Sequence, residues 1–245
     1  MANLIFDENL VRRFFNEVIA YGFNNGQGML CIAQTIFRKN KDQGYVQTTQ
    51  KTGNRFCPFS VEDFVLMARE LENISSSFEG VTLYAGAVPI DAAAAGRTFL
   101  TDMMSKTLPL VGNKEQYDSL MTGLPRHYFS ALEKCPAKKK LIHFDVDVAS
   151  FNGETSARWV KEALDDSGAY NRVVTTRGGF HVFAEPQAMA YASSAFGIKK
   201  REDAMATLID DALGGATTEC QPCSSIMCPL PGTAQRSADF VVGIL

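Results

Sequence analysis

A chain of 245 residues with 46% apolar side chains can bury the core of one large domain or of two closely packed halves, and it is too short for a multidomain machine. Its net charge of −3 and pI near 5.7 provide no global basic field, so any nucleic acid would have to be held by local patches, a closed site or metal ions. Charges at Asp7, Glu8, Arg12 and Arg13 break the start, no run reaches the ~18 apolar residues of a membrane span, and six cysteines are too few for a disulfide framework; a cytoplasmic protein with free thiols is expected, without membrane contact.

In chain order, Leu10, Val11, Phe14, Phe15, Val18 and Ile19 recur at helical spacing from Asp7 to Tyr21, with Gly22 as the stop. Asn24 to Arg55 is polar, and within it Met29 to Phe37 reads as a strand leading into a basic loop. Ser60 caps a second helix that buries Phe64, Val65, Met67, Ala68 and Leu71, and Val81 to Ile90 is β-rich. Between Asp91 and Lys140, an alanine run, scattered glycines and prolines and a lysine cluster give signals too weak to order. Leu141 to Val148 is then a strand interrupted by His143, Asp145 and Asp147. A helix capped by Thr155 follows, with Trp159, Val160, Ala163 and Leu164 inside and Gly168 at its end. Strands at Arg172 to Thr176 and Phe180 to Ala184 form a hairpin through Arg177, Gly178 and Gly179; Glu202 to Leu213 is helical, and Phe240 to Ile244 is a strand. The second half therefore suits an α+β sandwich with helices on one face of a mainly antiparallel sheet.

Strand alternation puts Asp145 and Asp147 on one face and Phe144, Val146 and Val148 on the other. Two adjacent carboxylates repel unless they share a cation, which points to a divalent metal; the bland alternative is an exposed edge strand, against which the apolar flanks speak. In Thr175 to Phe183 the paired glycines let backbone amides approach an anion, Thr176 and Arg177 offer phosphate donors, and His181 lies on the strand leaving the turn. A third segment, Cys228-Pro229-Leu230-Pro231-Gly232-Thr233-Ala234-Gln235, contains a tight turn.

An apolar-Asp-x-Asp strand, a helix, a Ser/Thr-x-Gly-Gly-aromatic-His hairpin and a late Leu-Pro-Gly-Thr segment, in this order, resemble the archaeo-eukaryotic primase superfamily, closest to the primase-polymerases of phages and plasmids. The similarity covers about Leu141 to Gln235; Tyr84-Ala85-Gly86 and Arg97 fit the family's N-terminal half loosely. The resemblance implies a single catalytic module: an RRM-like half over about 116–245, packed against an N-terminal α/β half over about 1–115. It also implies a template-dependent nucleotidyltransferase in which Asp145 and Asp147 bind two Mg²⁺ or Mn²⁺ ions, while His181, Thr176, Arg177, Gly178 and Gly179 hold an NTP or dNTP over a single-stranded DNA template. The family's third carboxylate matches Glu219 best, with Asp210 and Asp211 as alternatives. Family members often carry arginine before Leu-Pro-Gly-Thr, where this chain has Cys228 and Pro229; Arg236 is a substitute.

Other readings stay open: a metal-dependent nuclease or phosphohydrolase using the same carboxylates, and a non-catalytic primase-like fold that binds DNA or a replication protein. Cys220, Cys223 and Cys228 lack a fourth zinc ligand, for which Cys57, Cys135 and His127 are candidates, and reduced core cysteines are the commoner outcome. Arg38, Lys39, Lys41, Lys51 and Arg55, interleaved with Phe37, Tyr45 and Phe56, could follow a strand, as could Lys134, Lys138, Lys139 and Lys140. The chain has no Walker-type loop, so unwinding would need a separate helicase.

Overall fold

A computed structural model describes residues 5–23, 28–37, 50–77, 81–110, 112–138, 140–148, 153–185, 201–215, 217–222, 227–235 and 240–245. They form an α+β fold around two antiparallel sheets. No helix among them is long and apolar enough to cross a membrane.

The chain enters through helix α1 (Glu8–Phe14), whose first turn is capped by Asp7, the carboxylate accepting from the Asn9 amide at 2.9 Å. A π-helical turn, Phe15–Ile19, continues it and leaves Phe14, Phe15, Val18 and Ile19 all buried. The first sheet has the order β2-β1-β3-β9, built from β1 (Met29–Phe37), β2 (Gln50–Pro58), β3 (Val81–Gly86) and β9 (Met227–Pro229), with β4 (Ile90–Asp91) beside the start of β1. Helix α2 (Val61–Ser75) packs on it and is capped by Ser60 as expected. Strand β2 corrects the reading of 50–55 as loop: an edge strand covered on one face needs little apolar content, and only its end, with Cys57, is rich enough to show. The region that resisted ordering contains α3 (Ala92–Thr107), α4 (Lys114–Thr122) and α5 (Leu124–Glu133). The alanine run is the first turn of α3, where Asp91 accepts from the Ala94 amide at 2.8 Å. Helical period is faint there because α3 buries only Ala95 and Met103, and α4 buries nothing.

The second sheet has the order β12-β6-β7-β5-β8, from β5 (Ile142–Val148), β6 (Asn171–Thr175), β7 (Gly179–Ala184), β8 (Thr217–Pro222) and β12 (Gly243–Ile244). With α6 (Gly153–Asp166) between β5 and β6, and α7 (Arg201–Ala212) between β7 and β8, its first four strands lie in the split βαβ order, fourth-first-third-second. Both helices cover one face, where Phe144, Val146, Val173, Phe180 and Val182 meet Ala157, Val160, Leu164, Met205 and Ile209. Two details of α6 differ from expectation. It begins at Gly153, so Thr155 lies inside its first turn, and Trp159 is 53% exposed because it sits a full step (~100°) around the helix from the Val160 stripe. The predicted last strand is split by Val242 into β11 (Phe240–Val241), which pairs with β10 (Ala234–Gln235), and β12.

The opposite face of the second sheet is partly covered by α1, with Phe14 edge-on to Phe183 at 6.3 Å between ring centroids and Val174 and Ile244 in the same core as Leu83 and Phe64. The C-terminal segment sews the sheets together. Gly232, at φ +83°, accepts from the Asp7 amide at 2.8 Å and donates to the Val242 carbonyl at 2.8 Å; a Cβ there would lie 2.5 Å from the Asp7 carbonyl oxygen. Glu17 receives Arg13 and Arg172, and Tyr21 stacks on Tyr170 at 3.9 Å while its hydroxyl donates to Glu185.

Burial, aided by the bond to Glu185, pushes the Tyr21 hydroxyl from its ordinary 10.0 up to about 12. The unfolded chain releases this proton first, so the folded state binds more protons between about pH 10 and about pH 12 and loses stability as pH rises through that window. Urea titrations across this range should therefore show a shallower alkaline loss for Tyr21→Phe than for the parent; equal slopes would contradict the assignment.

Candidate active site

Strand β5 is flanked by β7 and β8, and its alternation is as the sequence predicts: Phe144 and Val146 are fully buried against α6 and α7, while Asp145 and Asp147 are exposed on the other face. The β7 register sets His181 opposite Asp145, Gly179 opposite Asp147 and Phe183 opposite His143. The β8 register sets Gln221 opposite Asp145 and Glu219 opposite Asp147. Directly paired positions share a face of a sheet, so the backbone brings the three positions 145, 147 and 219 to one place. The Glu219 side chain lies outside the described residues. Asp210 and Asp211 end a helix that packs on the opposite face, so the register favours Glu219 as the companion acid.

His181 is buried, with Nδ1 3.6 Å from Asp145 Oδ1 and 3.0 Å from His143 Nε2. His143, itself buried, stacks on Phe183 at 4.4 Å. Sequence reasoning assigned His143 no role, although its parity with Asp145 places it on the same face.

The hairpin closes with the Thr176 amide donating to Gly179 at 3.0 Å, and Arg177 and Gly178 are exposed at its tip. Gly179 is required by close approach: a Cβ would sit 1.9 Å from the Val146 carbonyl oxygen, whereas one on Gly178 meets nothing nearer than Asp147 Oδ1 at 3.9 Å. The third segment reaches the same turn, because Gln235 Oε1 accepts from the Arg177 amide at 2.7 Å. That amide is thus already engaged within the protein, which modifies the expectation that every amide of the turn is offered to an anion. Nothing local in the sequence points Gln235 to this partner, 58 residues away along the chain. Upstream, Cys228 and Pro229 pair with Ala85 and Tyr84, joining the loosely matching strand to the third segment, while Arg97 is exposed on α3.

The donor set is hard oxygen on an exposed face, which suits Mg²⁺ or Mn²⁺, ions that retain water and take one or two carboxylates together with substrate phosphates. Among the described residues no group of three or more His, Cys, Asp or Glu side chains is arranged to hold a metal; the Glu219 side chain is not among them. The zinc candidates are dispersed. Cys220 is on the second sheet and Cys228 on the first, Cys223 lies outside the described residues, and Cys57 faces Cys31 across the strands as a free thiol, with the Cys31 thiol pushed strongly up by a hydrogen bond with Cys57 and by burial. Burial, with Asp210 nearby, pushes the Cys220 thiol up to about 11, against the thiolate a metal requires. His127 contacts Lys106 at 3.2 Å, and Cys135 contacts Thr98 at 3.4 Å.

Of the basic segments, Arg38, Lys39, Lys41, Tyr45, Lys139 and Arg236 lie outside the described residues, as do the side chains of Phe37 and Lys51. Arg55, Lys134, Lys138 and Lys140 are exposed, and Phe56 stacks on Phe129 at 5.4 Å.

The two glycines of the turn should respond differently to substitution. Gly179→Ala should lower unfolding free energy by about 3 kcal/mol through overpacking, and Gly178→Ala should change it by less than about 0.5 kcal/mol. Denaturant unfolding of both variants checks this, and equal effects would contradict the close approach of β7 to β5. Comparison of the chain with protein-family models, curated proteins and solved structures finds no match.

Proposed function

We propose that the protein is a template-dependent nucleotidyltransferase of the primase-polymerase kind, joining an incoming nucleoside triphosphate to a 3′-hydroxyl. The observation that carries this is the convergence of three separated segments on one face. The Asp145–Asp147 strand is paired with the His181 strand and, on its other side, with the Glu219 strand; the hairpin between β6 and β7 is tied to the third segment through Gln235. Chain order and spatial meeting together support the resemblance to the archaeo-eukaryotic primase superfamily.

Asp145 and Asp147, with Glu219 at the facing register position, would hold Mg²⁺ or Mn²⁺. Such ions, when bound, stabilise charge on the transferring phosphoryl group and lower the pKa of the attacking hydroxyl. The protein contributes position: Phe144 and Val146 are fully buried, which fixes the two carboxylates on a rigid strand. Thr176 and Arg177 stand at the turn where a triphosphate tail would lie, and the half-buried Gln235 holds the turn through the Arg177 amide. His181, held by its neighbours before substrate arrives, offers a preorganised donor to the β- and γ-phosphates. Single-stranded DNA is the proposed template, a ribo- or deoxyribonucleoside triphosphate the substrate, and a separate helicase the source of unwound DNA.

Primer extension on single-stranded templates with Mg²⁺ or Mn²⁺ tests this. Asp145→Asn and Asp147→Asn should each reduce template-directed incorporation by about a thousandfold or more while leaving stability within about 0.5 kcal/mol. Metal-dependent strand cleavage or triphosphate hydrolysis without incorporation would favour the hydrolase. DNA binding without either reaction, unchanged in both variants, would favour a binding module.

A further inference from the structure

Away from the carboxylates, the α3 and α5 side of the first sheet carries a row of aromatic rings that packing leaves partly open. Phe56 on β2 lies parallel to Phe129 on α5, at 6° and 5.4 Å between centroids; Tyr128 follows Phe129 at 6.5 Å; and Phe99 on α3 meets Tyr128 edge-on at 5.4 Å. Phe56 is anchored in the cluster of Ile32, Ile90 and Leu132. The two middle rings stay open to water, Tyr128 at 37% and Phe129 at 42% exposure. Each is held by a neighbouring ring on one side, so both are fixed in place before anything binds, and each offers apolar area that folding does not bury.

The charge beside these rings has one sign. Residues 124–140 carry Arg126, Lys134, Lys138, Lys139 and Lys140 against the single acid Glu133, in a chain whose net charge is −3. Arg126 is exposed one turn before Phe129, and Lys134 is exposed at the C-cap of α5. The acids within α5 and α3 are engaged, since Glu133 accepts from Gln34 Nε2 at 3.2 Å and Asp102 is paired with Lys106. Open rings among cations suit a polyanion that has flat apolar groups to stack, which describes a single nucleic-acid strand; a duplex hides its base faces, and an apolar protein surface makes no use of the cations.

The segment after α5 leads to the carboxylate strand. The Asp91 amide donates to the Cys135 carbonyl at 3.0 Å and the Ala137 amide to the Pro89 carbonyl at 2.8 Å, which lays the chain along β4; Lys138 and Lys140 are exposed on it, and Ile142 then opens β5. Ile142 is eight residues after Lys134, a span of at most ~28 Å, short enough for one oligonucleotide to touch both the rings and β5.

We propose that Phe129 and Tyr128, with Arg126 and Lys134, form a stacking platform for single-stranded DNA, on which unpaired bases lie against the two rings while the cations hold the backbone on its way to β5. This rests on the nucleotidyltransferase reading for the strand's role as template, and on the open rings and their charge alone for the binding of a single strand. No covalent step is involved.

Fluorescence anisotropy with a labelled thymidine oligonucleotide of about 20 nucleotides, in EDTA and without nucleoside triphosphate, reads the platform apart from any metal-dependent step. Phe129→Leu and Tyr128→Leu keep apolar bulk and remove the ring, and each should raise the Kd about tenfold, the loss of one base–aromatic stack. Arg126→Gln should lower the slope of log Kd against log salt concentration by about 0.7. An iodouracil oligonucleotide irradiated with the wild type should crosslink at Tyr128 or Phe129, as mapped by mass spectrometry. Crosslinks confined to other segments, or a Kd unchanged in both leucine variants, overturn the proposal, and the wild-type map decides this even if a variant fails to fold. Self-association of the wild type that is lost in Phe129→Leu while DNA binding is unchanged also overturns it, assigning the rings to a second copy of the chain. Crosslinks at the platform without templated incorporation leave the platform standing and remove the nucleotidyltransferase reading; incorporation with crosslinks confined elsewhere does the reverse.

Discussion

The pairing of β5 with β7 is the constraint on which the rest of the site depends. It is a tight contact, with the Gly179 backbone pressed so closely against the Val146 carbonyl that no side chain fits between them. A slip of one residue would carry Asp145 and Asp147 into the packed face and expose Phe144 and Val146. Burial of each such side chain contributes about 2 kcal/mol, and burying an unpaired carboxylate costs more than that, so hydrophobic packing on the α6 and α7 side enforces the alignment of charge on the other side. The carboxylates are therefore placed by residues that never touch them.

A second constraint comes from outside the second sheet. Helix α1 lays Phe14 against Phe183 in the core that also holds Val174, and the Pro231-Gly232-Thr233 turn is hydrogen-bonded at once to the entry of α1 and to Val242. From this turn the chain runs to Gln235, which holds the Arg177 amide. The two ends of the chain thus brace the hairpin and the His143–His181 pair, and the strand beside which Cys228 and Pro229 lie ties the same segment into the first sheet.

Legibility in the sequence followed the strength of burial contrast. Strand β5 could be read to within a residue because its alternation is undiluted, and β1 because nine consecutive residues suit a strand. Helices α3 and α4 were hidden, since Leu100 and Met104 on α3 and Tyr117 on α4 face solvent and blur any period. Trp159 is not part of the buried stripe, because adjacent residues of a helix lie about 100° apart and Val160 already points into the core. Of the site, Asp145, Asp147 and the hairpin were visible as local patterns. The meeting of Glu219 with Asp147 and of Gln235 with Arg177 depends on strand order and on a crossing between sheets, which no local pattern contains.

Whether the exposed face of β5 holds divalent cations together with a triphosphate tail, as proposed, is decided by a crystal structure grown with Mn²⁺ and a non-hydrolysable nucleoside triphosphate, using anomalous scattering to locate the metal. Manganese should be bound by Asp145 and Asp147, with Glu219 turned toward it and the terminal phosphates beside His181 and Arg177. Manganese and nucleotide bound elsewhere, with these side chains unliganded, would contradict it.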